Sequence, residues 1–91
     1  MSRQQPPARI VVERFVKTIV GSFATPVVDP STLHETSEVL SIIGGQRIPP
    51  EFTAALRGFV KHHGGSSLTT AEVRQALTIR EIVEIILGKW S

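Results

Sequence analysis

Between Val12 and Phe23 the apolar residues Val12, Phe15, Val16, Ile19, Val20 and Phe23 return at helical spacing, and Glu13, Arg14, Lys17 and Thr18 fall on the other side. The pattern predicts an amphipathic helix with a single stripe toward a core. Pro6 and Pro7 suit its lead-in, and Gly21 and Pro26 are expected to end it. Asp29 before Pro30 reads as an N-cap with proline at the first helical position. Leu33, Ser37, Leu40 and Ile43 then give a narrow stripe up to Gly44 and Gly45, so a second, irregular helix is expected over 29–43.

Proline can open a helix but not sit inside one, so Pro49 and Pro50 place the next start at Pro50. Phe52, Ala55, Leu56, Phe59 and Val60 form that helix's inner face, and Gly64 and Gly65 close it. Ser67 or Thr69 can cap the next turn, with Thr69 and Glu72 at capping-box spacing ahead of Val73, Ala76 and Leu77, and Thr78 interrupts the chain. The last segment, 79–87, sets Ile79, Ile82, Val83, Ile86 and Leu87 on one broad side, with Trp90 in phase beyond it. No period-2 alternation bounded by turn residues occurs. The expected fold is all α, a compact bundle of about four to five helices, with Phe15, Val16, Ile19, Leu56, Phe59, Val60, Val73, Leu77, Ile82 and Ile86 in the core.

At 91 residues the chain is large enough for one core, so residues 1–7 read as a flexible lead-in and 8–91 as a single helical domain. Cysteine is absent, which excludes a disulfide framework and a thiolate zinc cage. The apolar runs are far shorter than the roughly 20 residues that span a bilayer, and the start MSRQQPPAR is polar, so a cytoplasmic location away from membranes is expected. The net charge of +2 is unevenly placed. Residues 21–46 hold Asp29, Glu35 and Glu38 with no lysine or arginine, whereas 47–63 turn basic through Arg47, Arg57 and Lys61.

The chain offers little to catalysis. His62 and His63 are adjacent and point about 100° apart on a helix, which does not suit one metal ion, and a helix end where imidazoles meet terminal carbonyls accounts for them. Serine, histidine and aspartate occur outside any nucleophile motif, and the Gly-Gly pairs lack a following Gly-Lys-Ser/Thr. The expectation is no enzyme and no metal. The stretch LTTAEVRQALTIREIVEIIL has the outline of a helix-turn-helix, but its second helix would show Glu81 and Glu84 to a polyanion, so nucleic acid is a minor alternative.

A first helix with ERFVKTIVG, a long connection, a middle helix, a short third and a terminal helix opening TIREIVEII together resemble acyl and peptidyl carrier proteins over nearly the whole chain. The family's mark is an Asp-Ser-Leu at the start of the second long helix, whose serine takes a 4′-phosphopantetheine arm. Two alignments onto that mark are open. Counted from Thr32-Leu33, Ser41 takes the attachment position between Leu40 and Ile42. Counted from the glycine pair, the peptidyl-carrier pattern Gly-Gly-x-Ser-Leu falls on Gly44, Gly45, Gln46, Arg47 and Ile48, with arginine in place of serine. The string GGSSL at 64–68 copies the motif but leaves too little chain for both later helices.

The resemblance therefore implies a carrier-like module that docks onto biosynthetic enzymes of acyl, polyketide or peptide assembly without an arm, and so with no cofactor. The alternatives are a true carrier holding 4′-phosphopantetheine on Ser41, and a small helical DNA-binding or oligomerisation domain. The acidic recognition helix usual in the family is replaced by one carrying Arg57, Lys61, His62 and His63. Contact with a protein partner or a second copy is expected at Ile85, about 100° off the middle of the terminal stripe, together with Trp90 near the chain end.

Overall fold

The stripe that predicts the first helix is the face it buries. In the computed structural model, which describes residues 6–45 and 47–90, α1 runs Arg9–Phe23 with Val12, Val16 and Val20 fully buried and Phe15, Ile19 and Phe23 half-buried beside them. Gly21 does not end this helix. It lies in the last turn because the connection crosses it there: the Val28 N–H donates to the Gly21 carbonyl at 3.1 Å, and a Cβ on Gly21 would stand 2.5 Å from the Val28 carbonyl oxygen. The helix stops at Ala24, whose backbone is extended.

The expected helix over 29–43 is split. Asp29 caps as foreseen, its carboxylate accepting from the Ser31 N–H at 2.9 Å, but the helix lasts one 3-10 turn, Pro30–Thr32. α2 then occupies only Val39–Ile43, closed by Gly44 at φ +82°. Between them the backbone bonds to a distant segment. The Arg80 N–H donates to the Glu35 carbonyl (2.7 Å), the Ile79 N–H to that of Ser37 (3.1 Å) and the Val39 N–H to that of Leu77 (3.0 Å). Peptide groups committed to these cross-chain bonds are not available to an α-helical ladder.

α3 spans Pro50–His62, opening at the proline and burying Phe52, Thr53, Leu56 and Val60. Phe59 is half-buried, its ring stacked on Phe15 at 4.2 Å and 4.4 Å from the His63 imidazole. Gly64, at φ +82°, turns the chain out of the helix in the left-handed region that favours glycine. α4 is Thr70–Gln75, opened by the foreseen box in which Thr69 and Glu72 satisfy each other's backbone N–H. Thr78 caps α5 (Ile79–Leu87) by accepting from the Glu81 N–H.

Leu77 departs from the expected core and is 63% exposed. α4 stops at Gln75 and Ala76 is extended, so the helical phase that would have turned Leu77 inward ends before reaching it. Elsewhere the core is continuous. Ile79, Ile82, Val83 and Ile86 of α5 are buried, and α1 packs more extensively on α5 than on any other element. The Arg9 guanidinium also bonds Glu84 across that pair at 2.6 Å, which raises the Arg9 pKa above its ordinary value. The molecule is an all-α bundle of five helices with no strand among the described residues. Its radius of gyration, 12.6 Å, is near the roughly 12 Å of a compact chain of this length.

Candidate functional site

Ser41 lies in the middle of α2, between Leu40 and Ile42, with its side chain exposed. It does not stand at the opening of a long helix. The segment that enters α3 is Gly44–Pro50, and there Arg47 is exposed, as are Gly44, Gly45 and Pro50, whereas Ile48 is buried. Gln46, the middle position of the glycine-pair alignment, lies outside the described residues, as do 1–5 of the lead-in. GGSSL also leads into a helix, with Ser66 and Ser67 exposed and Leu68 in the core. The Ser66 N–H donates to the Lys89 carbonyl at 2.8 Å, tying this turn to the C-terminal end.

Ile85 and Trp90 differ in how far they are already used. Ile85 is half-buried and sits beside Leu68, Val73, Ile82 and Ile86, so one edge of it packs on the core and the other faces out beside Gln75, Arg80, Glu81 and Glu84. Trp90 is half-buried and anchored. Its Nε1–H donates to the His63 carbonyl at 3.1 Å, and a Cβ built on Gly65 would stand 3.1 Å from its ring, so glycine there lets the indole pack closely. The aromatic at the chain end thus closes the helix end of α3.

The histidines behave as helix-end groups. His63 Nδ1 lies 3.0 Å from the Phe59 carbonyl, and the rings of His62 and His63 meet edge to face at 5.2 Å. Among the described residues no three His, Asp or Glu side chains are grouped as a metal site would need. The outer face of α5 offers Arg80 beside the exposed Glu81 and Glu84, a mixed surface that does not favour a phosphate backbone. Among the described residues no helix is long and apolar enough to cross a membrane.

One concave feature gathers charge that the linear sequence separates. A cleft of about 430 Å³ is lined by Leu40 from α2, Arg47 and Ile48 from the approach to α3, and Arg74 from the last turn of α4. Both arginines are exposed, and the ion pairs among the described residues, Arg9 with Glu13 and Glu84 and Lys89 with Glu72, leave them out. Among the described residues no carboxylate lines the cleft. The sequence carries no signal for this pairing, because the arginines stand 27 positions apart and tertiary packing, including that of α2 against the α4–α5 junction and of α3 against α4, brings their elements together. With this geometry in view, comparison with protein-family models, characterised proteins and solved structures gives no match to the chain.

Proposed function

We propose that the chain is a non-catalytic, carrier-protein-like module that docks onto protein partners in acyl, polyketide or peptide assembly without a pantetheine arm. One observation carries this reading: Arg47, exposed, stands on the approach to α3, the position where the glycine-pair alignment puts the modified serine. A guanidinium has no hydroxyl on which to build the phosphodiester, so a fold of this kind can bind partners but cannot shuttle a thioester. The order of a long first helix, a connection with only short helical turns, and three further helices agrees with the same resemblance. Docking would use the outward edge of Ile85 on α5; Trp90 contributes by fixing the end of α3 beneath the C-terminal turn.

Ser41 gives the opposing reading its residue, since its exposed hydroxyl is within reach of a modifying enzyme. Incubation with a broad-specificity phosphopantetheinyl transferase and coenzyme A, followed by intact mass, separates the two. The expected result is an unchanged mass. A phosphopantetheine increment lost in Ser41→Ala would make the protein a true carrier, and one that survives that substitution would move the arm to Ser66 or Ser67; either overturns the proposal.

A further inference from the structure

The cleft between α2, the approach to α3 and the end of α4 is lined by Arg47 and Arg74 together with the apolar Leu40 and Ile48, with no acidic side chain among its described lining residues. Two like charges sharing a concave surface repel each other, and an anion between them relieves that repulsion. Each guanidinium offers a planar fork suited to two oxygens of one phosphate or carboxylate. Leu40 is half-buried and Ile48 buried, so the same cleft gives an apolar chain something to lie against. Part of its wall is tied to the rest of the bundle. Val39, adjacent to Leu40, donates its N–H to the Leu77 carbonyl at 3.0 Å, the Ile79 N–H bonds Ser37 at 3.1 Å, and burial of Ile48 seats the segment that carries Arg47. A pair of arginines matches a dianion better than a monoanion, and a phosphate monoester is close to doubly charged at neutral pH.

We propose that this cleft binds a phosphate monoester carrying a short apolar chain, with Arg47 and Arg74 clasping the phosphate and Leu40 and Ile48 receiving the chain. The site is separate from the docking surface proposed above and holds whether or not the protein is a carrier-like module.

Hexyl phosphate is the probe, with inorganic phosphate and 1-hexanol as its two halves, followed by two-dimensional NMR on isotope-labelled protein. Hexyl phosphate is expected to shift the resonances of Leu40, Arg47, Ile48 and Arg74 saturably, and to bind roughly tenfold or more tightly than inorganic phosphate. The double variant Arg47→Gln/Arg74→Gln, made at two exposed side chains, is expected to keep the parent melting temperature and lose at least about tenfold in affinity. Co-sedimentation with phosphatidic acid vesicles then names the source: capture of the parent protein points to a lipid, and its absence to a soluble ester. Shifts spread equally over Arg57, Lys61 and Arg80 would mark unspecific charge attraction and overturn the proposal. Equal affinity for inorganic phosphate, or undiminished binding by the double variant, would overturn it as well.

Discussion

Phe52 and Phe59 lie on the same helix and were both candidates for its inner face, yet the structure gives them different surroundings. Phe52 is fully enclosed, with Phe23 meeting its ring edge to face at 5.6 Å, whereas Phe59 is half-buried between Phe15 and His63. Truncating Phe52 to alanine is expected to cost about 3–5 kcal/mol, because the removed ring leaves a cavity that the neighbouring helices cannot fully close. Phe59→Ala is expected to cost less, since solvent already reaches part of the ring. Urea unfolding of the two variants checks the order, and an equal or larger loss for Phe59 would contradict the packing described. Thr53 supplies a finer test. Its hydroxyl is buried and has no hydrogen-bond partner among the described residues. Thr53→Val keeps the shape and removes the unpaired group, so it is expected to raise stability by about 1–3 kcal/mol in the same measurement.

At the scale of elements, the capping box of α4 carries a pH dependence. Glu72 accepts from the Lys89 ammonium at 2.5 Å and from the Thr69 N–H at 2.9 Å, and these bonds, the lysine's first, hold its carboxyl at about 2 against an ordinary value of 4.5. A carboxyl held low in the folded state favours folding above the unfolded value and loses that contribution as pH falls. The stability difference between the parent and Glu72→Gln should therefore be constant above about pH 4.5 and shrink as pH falls toward 2. Thermal melts across that range check it, and a difference independent of pH would contradict the bond pattern.

The same capping box was legible in the sequence, as were the stripe of α1, the opening of α3 at Pro50 and the span of α5. In each the determinant is local: a proline, a Thr-x-x-Glu spacing, or a sustained helical period. The region 29–43 was not legible, because its conformation is set by hydrogen bonds that the Arg80 and Ile79 N–H groups donate to the Glu35 and Ser37 carbonyls and that the Val39 N–H donates to the Leu77 carbonyl, some forty residues away. Leu77 was misplaced for a related reason. Its inward placement assumed that the helical phase of α4 carried on through Ala76, where the backbone instead becomes extended. Gly21 looked like a helix stop, although its role is to let the 28 backbone approach.

For the whole molecule, the candidate site divides in the same way. Arg47 follows the Gly44–Gly45 pair and precedes Pro50 in the sequence, and only the carrier resemblance gives it a serine's place there. Its companion Arg74 had no such signal, because the two line one cleft through tertiary packing. Trp90 was read as in phase with the α5 stripe and as a contact residue beside Ile85; its indole N–H reaches the His63 carbonyl, and its ring lies against Gly65. What the assembled bundle presents outward is therefore a partly open Ile85, a basic cleft, and an arginine rather than a serine at position 47 on the approach to α3.

The central claim is that the bundle is a carrier-like frame whose arm is prevented by the side chain at position 47. Restoring the family's Gly-Gly-x-Ser-Leu pattern with Arg47→Ser/Ile48→Leu tests this most directly, because one substitution is at an exposed site and the other exchanges one buried aliphatic for another of equal size. The variant and the parent would be treated side by side with phosphopantetheinyl transferase and coenzyme A and weighed intact. The account predicts a phosphopantetheine increment on the variant, mapped to residue 47 by fragmentation, and none on the parent. A folded variant that takes up no arm, or a parent that takes one up, would contradict it.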